Sequence, residues 1–111
     1  PDEHISYHRL SELPQLASQW AAPLIVNTTP LGMLPRVDTS PWPDELPVPA
    51  GAFVYDLVYN PAVTKLMKQA QAADCRAANG LGMLVYQGAE AFKLWTGQEP
   101  DTDLMYAQIR P

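Results

Sequence analysis

Six prolines fall between Pro30 and Pro49, at positions 30, 35, 41, 43, 47 and 49, and they divide the chain more sharply than any other feature. Proline has no backbone N–H and a fixed φ, so neither a continuous helix nor a ladder strand can run through this stretch. It is expected to be a loop, with room for one helical turn near Trp42 to Leu46. No PxxP register repeats, so it reads as a connection and not as a polyproline ligand of the SH3 type.

Regular structure therefore has to lie on either side. Before the loop, Pro23-Leu24-Ile25-Val26-Asn27 is a short apolar run ending in polar residues, as expected of a strand buried on both faces of a parallel sheet. After it, Ala52-Phe53-Val54-Tyr55-Asp56-Leu57-Val58-Tyr59 gives a second strand that ends in Asn60-Pro61. Thr64 to Ala73 follows as a helix, with Leu66, Met67 and Ala70 inward and Lys65, Lys68 and Gln69 outward. Leu81 to Thr96 is a long helix stopped by Gly97, and Pro100-Asp101-Thr102-Asp103 opens a short final one with acidic residues at its positive end. At the other end, Ser11 is a plausible cap for a helix carrying Leu13, Leu16, Ala17 and Trp20, with Pro14 in its first turn. His4-Ile5-Ser6-Tyr7-His8 alternates like a short strand or an extended lead-in. The order strand, helix, strand, helix predicts an α/β fold with a parallel sheet and covering helices. No internal repeat and no domain boundary is visible.

With 111 residues the chain is the size of one small domain, able to bury roughly 60–70% of its unfolded surface. A net charge of −5 with only seven scattered basic residues argues against a nucleic-acid partner. No apolar run approaches the roughly 20 residues of a spanning helix, so no membrane role is expected. The single cysteine, Cys75, has no partner for an internal disulfide, which fits a reducing, cytoplasmic setting, and it reads as a small buried hydrophobe. The two histidines have no third ligand at metal spacing and are expected on the surface. Beginning at Pro1 without an initiator methionine or a signal segment, the chain is expected to be a piece of a longer protein.

Chemistry is expected where the two strands end. If they are parallel neighbours, Asn27-Thr28-Thr29 and Tyr59-Asn60 converge on one rim of the sheet, the place where open α/β sheets bind ligands. Thr28 and Thr29 offer hydroxyls, while Gly32 and Gly80 either form turns or permit close approach of backbone to a flat ligand. A tyrosine in the position of Tyr59 is otherwise a half-buried packing residue. On its helix Gln87 stacks with Met83 and Ala91, so its amide is expected on a line of apolar neighbours. It then either bonds backbone, faces water, or contacts a ligand at a cleft.

Three blocks, Asn27-Thr28-Thr29-Pro30-Leu31-Gly32-Met33, Tyr55-Asp56-Leu57-Val58-Tyr59-Asn60-Pro61 and Asn79 to Phe92, together resemble the C-terminal part of shikimate dehydrogenases, in that family's order. The resemblance covers the chain from about Leu10 onward. It implies that residues 1–78 form the C-terminal half of an NADP-binding, Rossmann-like domain, and that 79–111 form a helical segment packing toward the substrate domain. It also implies an enzyme reducing 3-dehydroshikimate to shikimate in aromatic amino-acid biosynthesis. By the same resemblance, Thr28 and Thr29 lie near the nicotinamide ribose, the backbone at Leu57 and Gly80 holds the carboxamide, and Tyr59 and Gln87 contact the substrate. Met83, Leu84, Val85, Ala91 and Trp95 would pack that helix.

The family's catalytic Lys and Asp, its carboxylate-binding serines, its Gly-rich pyrophosphate loop and its Arg-containing 2′-phosphate site have no counterpart here. No GxGxxG is present, and Lys65 and Lys68 lie on a predicted exposed face. The chain alone is therefore expected to be inert, to need the preceding part of the protein as partner, and to expose surfaces that favour a homodimer. An NAD-dependent quinate/shikimate enzyme and a non-catalytic Rossmann-like binding module are the alternatives.

Overall fold

The computed structural model describes residues 4–110. A 3-10 turn at Leu10–Glu12 leads into a short helix α1 (Leu13–Ala17), then β1 (Leu24–Asn27), β2 (Phe53–Asp56), α2 (Lys65–Ala72), β3 (Arg76–Ala78), α3 (Leu81–Thr96) and α4 (Thr102–Ile109). The three strands form one parallel sheet in the order β1-β2-β3, with Ile25 opposite Val54 and Val54 opposite Ala77. Because side chains alternate along a strand, Ile25, Asn27, Val54 and Asp56 share one face and are all buried.

Helix α2 and the proline-rich loop cover that face. Thr64 caps α2 by accepting the Met67 N–H at 3.2 Å, and Leu66, Met67 and Ala70 point into the core as the periodicity predicts. The loop contains no helical turn. Instead Trp42 is inserted into the core, with its indole N–H donating to the Leu46 carbonyl at 2.8 Å. Gln69 of α2 donates to the Trp42 carbonyl at 3.0 Å and accepts from the Ser40 hydroxyl at 2.5 Å, so a polar residue on the helix's outer side fastens the loop to it. Cys75 is buried in the same core.

Several expectations are corrected. β1 is not buried on both faces: Leu24 and Val26 are 66% and 45% exposed, because the covering elements all lie on the opposite side. β3 is an additional strand, invisible as a pattern because Arg-Ala-Ala carries no β-branched or aromatic residue. Ser11 is not a cap. The 3-10 turn begins one residue before it, and α1 starts after Glu12 without a side-chain cap. Residues 5–9 form no strand; they are exposed, with His8 Nδ1 3.0 Å from Glu12 Oε2.

α3 and α4 make a helical hairpin. Gly97, at φ 70, occupies the left-handed position that ends α3, and the Asp101 carboxylate caps α4 by accepting the Leu104 N–H at 3.1 Å. The Glu99 carboxylate, hydrogen-bonded to Lys93 just beyond that stop, raises the lysine's pKa. Tyr86 and Tyr106 meet edge to face at 6.5 Å, and an added Cβ at Gly82 or Gly88 would lie 3.1 Å from Tyr106 or Met105. Only Val85 and Ala89 of α3 are buried, whereas Leu94 and Trp95 are 82% and 84% exposed. Trp95 therefore packs nothing in this chain. Among the described residues no helix is long and apolar enough to cross a membrane.

Candidate functional site at the carboxyl ends of the strands

The two strand ends converge as parallel pairing requires, since Asn27 is the register partner of Asp56 and the Leu57 N–H donates to the Asn27 carbonyl at 3.1 Å. Beyond this last ladder bond the segments diverge around a cavity of about 480 Å³. Thr28, Thr29, Pro30, Met33, Leu34 and residues 57–60 line it. Four of the residues singled out from the sequence, Thr28, Thr29, Leu57 and Tyr59, are thus brought to one site.

Gly80 stands directly behind. Its N–H donates to the Val58 carbonyl at 3.1 Å, and a Cβ built on it would lie 2.0 Å from the Leu57 carbonyl oxygen. A real side chain cannot occupy that space, so glycine is required here, at the residue before α3, for close packing on the segment that follows β2. The expected approach to a flat ligand is in this structure an approach to Leu57. Gly32, at φ 93, is a turn residue whose N–H donates to the Thr39 hydroxyl at 2.8 Å. Asn79 completes the junction: it donates to the Ala62 carbonyl at 2.8 Å and accepts the Leu81 N–H at 3.0 Å.

Gln87 is not part of this site. It lies about two turns further along α3, exposed, and outside the cavity lining. Its neighbour Met83 is 42% exposed as well, so the line of apolar neighbours faces outward and the amide has no burial to offset.

Sequence reasoning passed over the polar cluster under the cavity. Asn27, Asp56 and Thr64 are buried, and among the described residues no buried side-chain polar atom lacks a partner. Asp56 Oδ1 accepts from Asn27 Nδ2 and from the Val58 N–H, both at 3.0 Å, while Oδ2 accepts from the Thr64 hydroxyl at 2.7 Å. Asn27 Oδ1 accepts both the N–H of Thr29, at 3.0 Å, and its hydroxyl, at 2.6 Å. The signal was present in strand parity. Asn27 follows Ile25 by two and Asp56 follows Val54 by two, which puts both polar side chains on the core face.

A larger hollow of about 880 Å³ lies over the open side of β1, between residues 4–10, α1 and the strand, and shares Thr28 and Thr29 with the first. Its walls combine apolar residues of α1 and β1, such as Leu13, Leu16, Leu24 and Val26, with the polar Ser6, His8 and Asn27. Among the described residues, no group of three or more His, Cys, Asp or Glu could hold a metal ion.

The chain is similar to known proteins in sequence and in fold. Residues 80–110 match the family model of the shikimate 5′-dehydrogenase C-terminal domain. A shikimate dehydrogenase (NADP(+)) of Moorella thermoacetica is 47% identical over 103 residues, covering 93% of this chain and 35% of the relative. One from Geobacillus kaustophilus is 52% identical over 82 residues, 74% of this chain and 29% of its own length. Among solved structures, the shikimate 5-dehydrogenase of Listeria monocytogenes in complex with shikimate and NAD superposes with a TM-score of 0.73 at 31% identity, over 90% of this chain and 34% of that one. The Thermus thermophilus enzyme in complex with NADP(H) and shikimate gives 0.69 at 40% identity, over 86% and 34%. The chain spans about a third of the length of the curated relatives it matches.

Proposed function

We propose, for a chain that belongs to the shikimate dehydrogenase family and matches its C-terminal part, that it forms one wall of the nicotinamide site of an NADP-dependent enzyme reducing 3-dehydroshikimate to shikimate. The observation that carries this reading is the shared cavity of Thr28, Thr29, Leu57 and Tyr59 at the carboxyl ends of two parallel strands. Its lining mixes hydroxyls with the apolar side chains of Met33, Leu57 and Val58, which suits the nicotinamide and ribose end of a dinucleotide. No Lys or Arg lines it, so in this reading the charged phosphates lie away from this cavity. NADP is the proposed cofactor because the curated relatives quoted above carry that name.

The roles divide by residue. Thr28 and Thr29 offer hydroxyls to the ribose, the backbone at Leu57 and Gly80 holds the carboxamide, and Tyr59 faces the substrate from the far side of the same cavity. Bound NADPH supplies the hydride for the ketone carbon. No Asp, Glu, His or Lys lines the cavity and its one phenol, Tyr59, is assigned to substrate contact, so in this reading the accompanying proton comes from the preceding part of the protein. In this reading residues 1–78 complete the cofactor domain and 79–111 reach the substrate domain, where Gln87, exposed here, meets substrate. The uncovered apolar residues of α3, Phe92, Leu94 and Trp95, are the surface that such packing would bury, and in the chain alone they favour a homodimer. The setting is cytoplasmic, in line with a single buried thiol.

A chimera tests the proposal: this chain replaces the matching C-terminal third of the Moorella thermoacetica relative, and NADPH-dependent reduction of 3-dehydroshikimate is measured. Activity that falls on Tyr59→Ala through a raised substrate KM is the expected result. A folded chimera that binds neither NADPH nor shikimate would overturn the reading.

A further inference from the structure

The buried polar cluster does more than satisfy itself. We propose that Asp56 is a positioning residue for the strand-end cavity, fixing through Asn27 the spacing between the two loops that wall it. The link to cofactor binding rests on the function proposed above, whereas the link to loop geometry does not.

Both walls hang on one oxygen atom. Asp56 Oδ1 takes the Val58 N–H, which belongs to the wall following β2, and Asn27 Nδ2, whose own Oδ1 takes the N–H and hydroxyl of Thr29 in the wall following β1. Val58 and Thr29 both line the cavity, and Asp56 does not. The strand ladder cannot supply this spacing, because it stops at the bond from the Leu57 N–H to the Asn27 carbonyl. The next backbone bond between the two segments, from the Leu34 N–H to the Asn60 carbonyl, is 3.5 Å long and sits at the far side of the cavity. At 0% exposure Asp56 is shielded from competing water, so its bonds are not exchanged for solvent ones.

The arrangement also says which substitution breaks the clasp. Asp56→Asn can keep its oxygen toward Asn27 and Val58 and turn its amide nitrogen to Thr64, whose hydroxyl can switch from donor to acceptor. Asp56→Ala takes the acceptor from the Val58 N–H and the Thr64 hydroxyl, and leaves Asn27 Nδ2 with only the Leu31 carbonyl of its own wall, 3.2 Å away, so nothing then joins the two walls through side chains. A simple requirement for burial would not separate these two variants in loop geometry.

The experiment uses the chimera described above, with amide hydrogen exchange read residue by residue and NADPH affinity read by fluorescence titration. Asp56→Ala should speed exchange at Thr29 and Val58 at least about tenfold and weaken NADPH by a similar factor, while Asp56→Asn stays within about threefold of the parent in both. Leu66→Ala, a core change that lines no cavity, is the control for lost stability: it should leave the relative exchange of the two loops and the NADPH affinity in place. If Asp56→Ala does not fold, Asn27→Ala probes the same link and should loosen Thr29 while Val58 keeps its bond to Asp56. Failure of both to fold, equal effects of Asp56→Ala and Leu66→Ala on the loops, or unchanged exchange at Thr29 would overturn the proposal. Loosened loops in a chimera that never binds NADPH would uphold the clasp and reject the functional reading.

Discussion

The sheet half and the helical hairpin of this molecule are built from similarly apolar sequence and end in opposite states. Around β1, β2 and α2, residues such as Val54, Leu66 and Ala70 are buried, and even the polar Asn27, Asp56 and Thr64 are enclosed, with every buried side-chain polar atom among the described residues paired. The 16-residue α3 buries only Val85 and Ala89, and leaves Met83, Tyr86, Phe92, Leu94 and Trp95 facing out. A helix apolar nearly all round is expected to be enclosed on all sides. The difference teaches that one face of the sheet is fully specified by contacts inside the chain, whereas most of the apolar surface of α3, like the Leu24 and Val26 face of β1, is left uncovered among the described residues.

The junction between the two halves is the place where a single atom should have the greatest effect. Gly80→Ala puts a Cβ 2.0 Å from the Leu57 carbonyl oxygen, which neither backbone can tolerate, so the hairpin must shift off the end of β2. A loss of about 4 kcal/mol or more is expected in chemical denaturation of the chimera, in the range reserved for gross steric conflict. A loss under about 1 kcal/mol would mean that the hairpin is not held by this contact.

Next in size come matched truncations in the two halves. Leu66→Ala, 1% exposed, should cost about 2–5 kcal/mol wherever it is measured. Leu94→Ala should cost at most about 0.5 kcal/mol in the 111-residue chain, and more than about 1.5 kcal/mol in the chimera if the preceding part covers α3. Denaturation of both variants in both settings gives the comparison directly. Equal small effects of Leu94→Ala in chain and chimera would show that α3's outer face stays in water.

Much of the sheet half was legible because local and global signals agree there. Strands within Pro23 to Asn27 and Ala52 to Tyr59 and the inward triad of Leu66, Met67 and Ala70 follow from propensity and periodicity alone, although β2 stops at Asp56 and Thr64 is the cap of α2 instead of its first residue. The convergence of Thr28, Thr29, Leu57 and Tyr59 follows from parallel pairing. What was hidden has physical causes. β3 is stabilised by pairing with β2 and not by its own residues, Trp42 is buried by a loop whose path prolines constrain without specifying, and the Asn27–Asp56 bond joins residues 29 apart in sequence. The exposed state of Gln87 could not be read from helix periodicity, because a helix apolar on most sides does not say which side faces a partner.

Gln87 therefore gives the smallest expected change in stability and the finest discrimination between the two regions. It is exposed on α3 and no buried group depends on it, so Gln87→Ala should alter the unfolding free energy of the chain by no more than about 0.5 kcal/mol. If the outer face of α3 meets substrate in the longer protein, the same change removes one hydrogen bond to a shikimate hydroxyl. A bond of that kind is worth about 1–3 kcal/mol, which would appear as a roughly ten- to hundredfold fall in kcat/KM for shikimate. The loss should not extend to NADPH affinity, because the cavity of Thr28, Thr29, Leu57 and Tyr59 lies at the strand ends and Gln87 does not line it. Kinetics and melting of one chimera variant measure all three quantities. A variant that loses stability yet keeps its kcat/KM would place Gln87 among the packing residues of the hairpin, and one that loses NADPH affinity would mean that the cavity and α3 are not separate contributors to the site.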